Sequence, residues 1–78
     1  MEWKDETRHG EIIASIARVG GFRISVHHYM GCGESWFVSC DGIFDKRELG
    51  EMTLNQAQAM ALAKLQLILE EAIKAITG

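Results

Sequence analysis

Proline is absent from this chain of 78 residues, and cysteine occurs only twice. Two cysteines are too few for the disulfide scaffold on which small exported domains generally depend. The first ten residues are mainly polar or charged, so they lack the apolar stretch of a secretory signal peptide. No apolar run reaches the roughly 18 residues that a membrane-spanning helix requires. We therefore expect a cytoplasmic protein.

Basic residues are scarce relative to acidic ones. The chain has 8 Lys and Arg against 11 Asp and Glu, which gives a formal net charge of −3. Proteins that bind nucleic acid generally carry a dense basic patch, and the few basic residues here are dispersed. The composition argues against direct nucleic-acid binding and favours a protein partner with a basic surface.

The length allows one domain, and a hydrophobic share of 47% is ordinary for a globular protein. A domain this small buries only about 60% of its unfolded surface, so self-association is an expected source of stability. We predict a flexible N-terminal arm over residues 1–10 and a single α+β domain over residues 11–78. Trp3 is expected to pack at the edge of that domain.

Alternating apolar and polar residues predict antiparallel strands over residues 11–19 and 22–30. The Gly20-Gly21 pair between them suits a two-residue hairpin turn. A three-residue loop over Gly31-Cys32-Gly33 then keeps the apolar face continuous into a third strand. A loop one residue longer would put Phe37 instead of Trp36 in the core. The predicted pairs are Val19–Phe22, Ala17–Ile24, Ser15–Val26, Met30–Glu34, His28–Trp36, Val26–Val38 and Ile24–Cys40.

The remaining third of the chain predicts a turn and a long helix. A turn at Asp41-Gly42 precedes either a short fourth strand or a loop that carries Ile43, Phe44 and Leu49. Thr53 and Gln56 have the spacing of a capping box, and no Gly or Pro interrupts the sequence up to Thr77. The predicted apolar stripe of this helix contains Leu54, Ala61, Leu65, Ile68, Leu69, Ala72, Ile73 and Ile76.

These elements predict an α+β fold, in which a three- to four-stranded antiparallel meander is followed by one long C-terminal helix packed on one face. The helix, at about 36 Å, is longer than strands of about 26 Å, so its end should project beyond the sheet. The second sheet face also carries apolar residues, and exposed apolar area of this kind is typical of an interface. The predicted partner-binding residues are Ile12, Ile16, Arg18, Arg23, Tyr29 and Phe37, with the two arginines as a rim.

Residues capable of chemistry do not form a recognisable site. His27, His28, Cys32 and Cys40 lack the paired spacing of a zinc site, and the alternation points the two histidines to opposite faces. We expect Cys40 to be a small core residue, Cys32 an exposed thiol, and His28 a partly buried ring on Trp36. No motif of a phosphate loop or a nucleophilic enzyme is present. We therefore expect no enzyme, no catalytic residue, no metal and no cofactor.

Two resemblances extend this interpretation. Thr53-Leu54-Asn55-Gln56-Ala57 and the preceding WFVSCDGIF resemble the HicB antitoxin family, in which strands and a loop lead to a helix with a Thr-Leu-x-x-Ala start. The Pro-Gly-Cys turn of that family has no counterpart here. In size and acidity the chain also resembles small accessory proteins of phages and mobile elements, anti-CRISPR proteins among them.

These observations favour a small, non-enzymatic protein-binding module. We expect an inhibitor that docks on a larger, basic or nucleic-acid-handling partner and is itself a homodimer. The resemblance to HicB implies an alternative, an antitoxin that neutralises a small basic toxin. A purely structural homodimer is a further alternative.

Overall fold

The computed structural model describes residues 1–29 and 31–78 and has an α+β fold. Five strands form one antiparallel sheet in chain order, and a single helix follows them. The fold class and the C-terminal helix were predicted correctly, but the predicted number of strands, three or four, is too low. The elements are β1 (Lys4–Arg8), β2 (Glu11–Val19), β3 (Phe22–His27), β4 (Ser35–Cys40), β5 (Phe44–Glu51) and α1 (Leu54–Thr77).

The additional strand, β1, lies in the segment that was predicted to be a flexible arm. All five of its residues are exposed, and it pairs with β2 through a two-residue turn at His9-Gly10. Both turn residues have positive φ, 53° and 79°, as a tight primed turn requires. The Ser15 hydroxyl donates to Asp5 at 2.6 Å, and Trp3 packs against the core, as predicted. Backbone pairing and these two contacts therefore hold residues Lys4–Arg8 on the sheet.

The central hairpins have the predicted register. The cross-strand pairs between β2 and β3 include Val19–Phe22, Ala17–Ile24 and Ser15–Val26. Those between β3 and β4 include Ile24–Cys40 and Val26–Val38. Gly33 is left-handed, with φ of 64°, and Trp36 is buried on the core side. Strand β3 ends at His27 instead of continuing to residue 30. The predicted Met30–Glu34 pair lies outside the described residues.

The segment after the Asp41-Gly42 turn is a strand, so the first of the two predicted alternatives is correct. Gly42 has φ of 82°, and Phe44 is the buried anchor at the start of β5. The β4–β5 pairing is irregular in two places, and Lys46 has a positive φ of 50°. Such irregularities bend and twist an edge strand, which discourages pairing with another chain.

Helix α1 packs over β3, β4 and β5 on the face that we call the inner face. It starts with the predicted capping box: Gln56 N–H donates to the Thr53 hydroxyl at 3.2 Å, and Thr53 N–H donates to the Gln56 side chain at 3.0 Å. Of the predicted stripe, Ala61 and Leu65 are buried, and Ala57 is buried with them. The core consists of Ala17, Ile24, Val26, Trp36, Val38, Cys40, Phe44, Ala57, Ala61 and Leu65.

The helix is longer than the sheet beneath it, as predicted. Every residue from Glu70 to Gly78 is exposed, and the long axis of the molecule measures 48 Å against 23 and 19 Å for the others. Within the described part of the chain, α1 does not reach the apolar length that crossing a membrane demands.

Candidate protein-binding surface

The sheet side remote from α1, which we call the outer face, carries all six residues predicted to bind a partner. No helix or strand of residues 1–29 and 31–78 packs on this face. Its apolar members are half-buried because neighbouring side chains shield them, whereas the two arginines are exposed. The predicted residues are Ile12, Ile16, Arg18, Arg23, Tyr29 and Phe37.

Three rings, those of His27, Tyr29 and Phe37, form an aromatic cluster on the outer face. The Tyr29 centroid lies 4.7 Å from that of His27 and 4.9 Å from that of Phe37, both in edge-to-face arrangements. The Lys46 ammonium lies 5.7 Å from the Tyr29 centroid, within the range of a cation–π interaction. These contacts hold the three rings in a defined arrangement.

A hydrogen-bond chain holds the histidine of this cluster. The Ser39 hydroxyl lies 3.1 Å from His27 Nε2 and donates a hydrogen bond to Asp45 at 3.1 Å. The same hydroxyl oxygen accepts a hydrogen bond from the Lys46 backbone N–H at 3.0 Å. A hydroxyl has one hydrogen, and since Asp45 accepts it, the network assigns Nε2–H of His27 as a donor to Ser39.

The direction of this chain bears on whether the Ser, His and Asp residues form a catalytic triad. In a triad the serine gives its proton to histidine, and the carboxylate orients the histidine. Here the Ser39 hydroxyl donates a hydrogen bond to Asp45 and accepts one from His27. The three side chains therefore do not activate Ser39 as a nucleophile.

Burial lowers the pKa of His27, and the neighbouring Lys46 and His28 act in the same direction, whereas Asp45 opposes them. Desolvation disfavours the charged imidazolium, and the nearby ammonium adds repulsion. The neutral ring is therefore the favoured form at neutral pH, which suits an apolar contact surface.

The two cysteines are placed as predicted. Cys40 is buried in the core, where burial and then Asp41 raise the pKa of its thiol, and Cys32 is an exposed free thiol. No three side chains among His, Cys, Asp and Glu converge as metal ligands anywhere in residues 1–29 and 31–78.

Arg18 and Arg23 lie directly opposite each other across the β2–β3 hairpin, as predicted. Arg23 also approaches Asp41 at 3.7 Å, an exposed ion pair that contributes little to stability. A groove of about 610 Å³ runs from these arginines past Ile16 to Trp3. The rim of the outer face is thus open to solvent.

The opposite end of the sheet has a second, shallower groove of about 400 Å³ that includes His28 and Trp36. The two ring centroids are 3.6 Å apart, which confirms that His28 packs on this indole. His28 Nδ1–H donates to the Ser35 carbonyl at 2.9 Å, and Trp36 Nε1–H donates to the Met52 carbonyl at 2.9 Å. Each ring therefore donates a hydrogen bond to a backbone carbonyl, which indicates a structural role for both residues.

Two features went unrecognised in the sequence. Ser15 is completely buried and joins three elements, because it donates to Asp5 of β1 and accepts from Gln58 of α1 at 3.1 Å. On the solvent side of α1, Leu67 keeps 57% of its surface exposed. A serine in an alternating strand gives no indication that it will bond to a side chain 43 positions away. The exposure of Leu67 could have been predicted, because apolar residues occur around the whole helix and not only on its core-facing stripe.

Comparison with models of protein families, with curated proteins and with solved structures finds no match to this chain.

Proposed function

We propose that this chain is a non-enzymatic protein-binding module that inhibits a larger, basic or nucleic-acid-handling protein by docking on it through the outer face. One observation carries the proposal: α1 covers only the inner face, while the outer face presents contiguous aliphatic and aromatic side chains. Apolar surface that a fold leaves uncovered in this way is typical of an interface.

Tyr29 and Phe37 are the proposed anchors of this interface. Large aromatic side chains dominate the binding energy of protein interfaces, and rings already held in place lose little conformational entropy on binding. The His27 and Lys46 contacts hold Tyr29 from two sides. Ile12 and Ile16 widen the apolar area beside the rings.

Charge favours a basic partner through long-range attraction. The net charge of −3 attracts positively charged surfaces and raises the rate of encounter. The rim itself is mixed, since Arg18, Arg23 and Lys46 are interspersed with Asp45 and Glu48. These rim charges set orientation, and the apolar centre supplies most of the affinity.

The chemistry of the outer face also supports binding over catalysis. The hydrogen bonds run from His27 through Ser39 to Asp45, which is unsuited to nucleophile activation. Both grooves are open to solvent and do not enclose a substrate.

The test is differential capture from a lysate of the source organism. Phe37→Lys introduces a charge at the centre of the outer face, and its strand neighbour Glu48 lies directly opposite, so the new side chain gains a cross-strand partner. Leu67→Lys is the matched control on the solvent side of α1. We expect the wild type and the Leu67 variant to capture a basic protein. The Phe37 variant, although folded, should fail to capture it.

Two results would overturn this assignment. One is equal capture by the two variants, and the other is a captured protein that is neither basic nor nucleic-acid-handling. Circular dichroism and urea titration establish that the Phe37 variant is folded. If it is not, Tyr29→Ser replaces it in the same comparison.

A HicB-like antitoxin is the second candidate. It is favoured by the capping box that starts α1 two residues after β5, since a capped helix after strands is the part of the chain that resembles that family. Its partner would be a small basic toxin, so the captured protein would be of similar size and form a tight heterodimer. Inhibition of cell growth by that partner alone, relieved by co-expression of this chain, distinguishes the antitoxin from an inhibitor of a larger protein.

A further inference from the structure

Two arginines lie next to each other at the rim of the outer face. Arg18 and Arg23 are the cross-strand pair that follows Val19–Phe22, the pair that closes the β2–β3 turn. The closing pair of a two-residue turn is hydrogen-bonded, so Arg18 and Arg23 form a non-hydrogen-bonded pair, in which side chains are closest. Like charges in this arrangement repel each other and destabilise a sheet. The fold therefore holds two cations together although their repulsion opposes folding.

The carboxylates of the chain neutralise this pair only in part. Asp41 lies 3.7 Å from Arg23, with 43% of the Arg23 side chain and 66% of the Asp41 side chain exposed. Arg18 forms no salt bridge within residues 1–29 and 31–78. A guanidinium has only hydrogen-bond donors to offer, so Arg18 is available to an acceptor from outside the chain.

The main chain of Arg18 points toward β1 and away from β3. Hydrogen bonds alternate in direction along an antiparallel strand, and the closing pair at Val19 fixes the direction for its neighbour. The Asp41 N–H donates to the Arg23 carbonyl at 3.1 Å, which confirms the same alternation in β3. The N–H and C=O of Arg18 therefore need partners on the β1 side of the strand.

Strand β1 ends before it reaches Arg18. Its pairing with β2 begins at Lys4–Ile16, and no main-chain hydrogen bond joins Arg18 to the residues before Lys4 in the described chain. Arg18 thus presents a backbone donor and a backbone acceptor at an open stretch of the sheet, beside its own guanidinium. An open stretch of this kind is a template for an added strand.

The groove at the rim lies against both features. Its volume of about 610 Å³ is within the usual range of ligand pockets, and its walls include Trp3, Ile16 and the two arginines. Acidic side chains line it from the β1 side, namely Glu2, Asp5 and Glu6. They repel a ligand that carries several carboxylates, so the groove suits a ligand with one.

We infer that the groove binds an extended peptide segment with a single carboxylate, which lies between Arg18 and Arg23 while the main chain of the segment pairs with Arg18. The parallel N–H donors of a guanidinium match the two oxygens of a carboxylate, and an anion between the arginines replaces repulsion with attraction. An extended peptide also supplies the N–H and C=O that the open edge of β2 lacks. A free phosphate leaves the Arg18 carbonyl unpaired, so this edge favours a peptide.

This site goes beyond the proposed function and does not depend on it. The apolar centre around Tyr29 and Phe37 supplies area for docking, whereas the groove recognises one charge and a short length of main chain. Short peptides alone suffice to measure binding in the groove. A negative result with them therefore leaves the capture experiment with the Phe37 variant unaffected.

An NMR titration with matched peptides tests the site. Acetyl-Val-Asp-Val-amide carries one carboxylate, and acetyl-Val-Asn-Val-amide is nearly the same shape without the charge. We expect the Asp peptide to shift the backbone amide resonance of Arg18, and the Asn peptide to bind about tenfold or more weakly. Inorganic phosphate is the third probe and should bind more weakly than the Asp peptide.

Arg18→Gln removes one cation and retains the open edge of β2. It should weaken binding of the Asp peptide by about tenfold or more. Arg8→Gln is the matched control, because it removes the same charge at the other end of β1, outside the groove, and should leave the affinity unchanged. Both positions are exposed, and relief of the repulsion should leave the Arg18 variant at least as stable as the wild type in urea titration.

Arg23→Gln repeats the comparison at the second cation and should weaken the same peptide. Equal affinity for the Asp and Asn peptides would overturn the inference, as would Arg18 and Arg23 variants that bind like the wild type. The absence of any shift at Arg18 up to millimolar Asp peptide would overturn it too. Tighter binding of phosphate than of the Asp peptide would assign the groove to free anions and exclude the peptide.

Discussion

The two faces of the sheet arise from one alternating pattern but differ in how completely the fold covers them. On the inner face, Ile24, Val26 and Val38 have no exposed surface because α1 lies over them. On the outer face, Ile16, Tyr29 and Phe37 are only half-buried, and the rings of Tyr29 and Phe37 pack edge-to-face. A chain with one helix can cover one face, so the apolar residues of the other face stay only half-buried.

The polar groups of the two faces differ in the same way. Ser15 on the inner face is completely buried and links β1 to α1. Ser39 on the outer face makes comparable hydrogen bonds, but it is only half-buried and near water. Paired substitutions on the two faces therefore measure how much burial under the helix adds to the free energy of unfolding.

The largest expected difference is between two isoleucines. Ile24→Ala removes a fully buried side chain and should lower the free energy of unfolding by about 2–5 kcal/mol. Ile16→Ala, on the half-buried outer face, should cost about 1 kcal/mol, because less area leaves the protein interior. Urea titration measures both, with the denaturant dependence unchanged. Equal losses would show that the outer face is as much a part of the core as the inner face.

A smaller difference is expected between the two serines. Ser15→Ala deprives Gln58 of its acceptor and Asp5 of its donor inside the fold, which should cost about 1–3 kcal/mol. Ser39→Ala should cost at most about 0.5 kcal/mol, because water can replace its partners. The same titration compares them, and hydrogen exchange in β1 should rise only in the Ser15 variant. A larger cost at Ser39 would contradict the difference between the faces.

The inner face was largely predictable from the sequence, since strict alternation, paired glycines and a capping box are local signals. Ile24, Val26 and Val38 were placed correctly from parity alone, and Thr53 with Gln56 fixed the start of the helix. Strand β1 was not predicted, because Lys4–Arg8 has no apolar alternation and its support comes from Ser15 and Trp3, contacts that only the folded chain creates. The aromatic cluster was predicted in part, since the register places Tyr29 and Phe37 on one face. The hydrogen bonds from His27 through Ser39 to Asp45 were not predicted, because they depend on the irregular pairing of β4 with β5.

The smallest expected effect is a pH dependence that belongs to the outer face. Burial lowers the pKa of His27 in the folded protein, and Lys46 and His28 contribute in the same direction against Asp45. The folded state therefore binds fewer protons than the unfolded state, in which histidine titrates at about 6.5. The contribution of His27 to stability is complete above that pH and is lost as the pH falls from there through the lowered folded value.

His27→Gln isolates this contribution, since an amide retains a donor for Ser39 but does not titrate. We expect the free energy of unfolding of the wild type to fall more steeply than that of the variant as the pH drops from neutral to mildly acidic. Carboxylates common to both proteins cancel in the comparison. Parallel pH profiles would mean that His27 is solvated like a surface histidine, and the outer face would then be more open to water than the ring contacts of Tyr29 and Phe37 indicate. A steeper profile for the wild type would instead show that burial of the ring, together with Lys46 and His28, lowers the pKa of His27 even though α1 lies on the opposite face of the sheet.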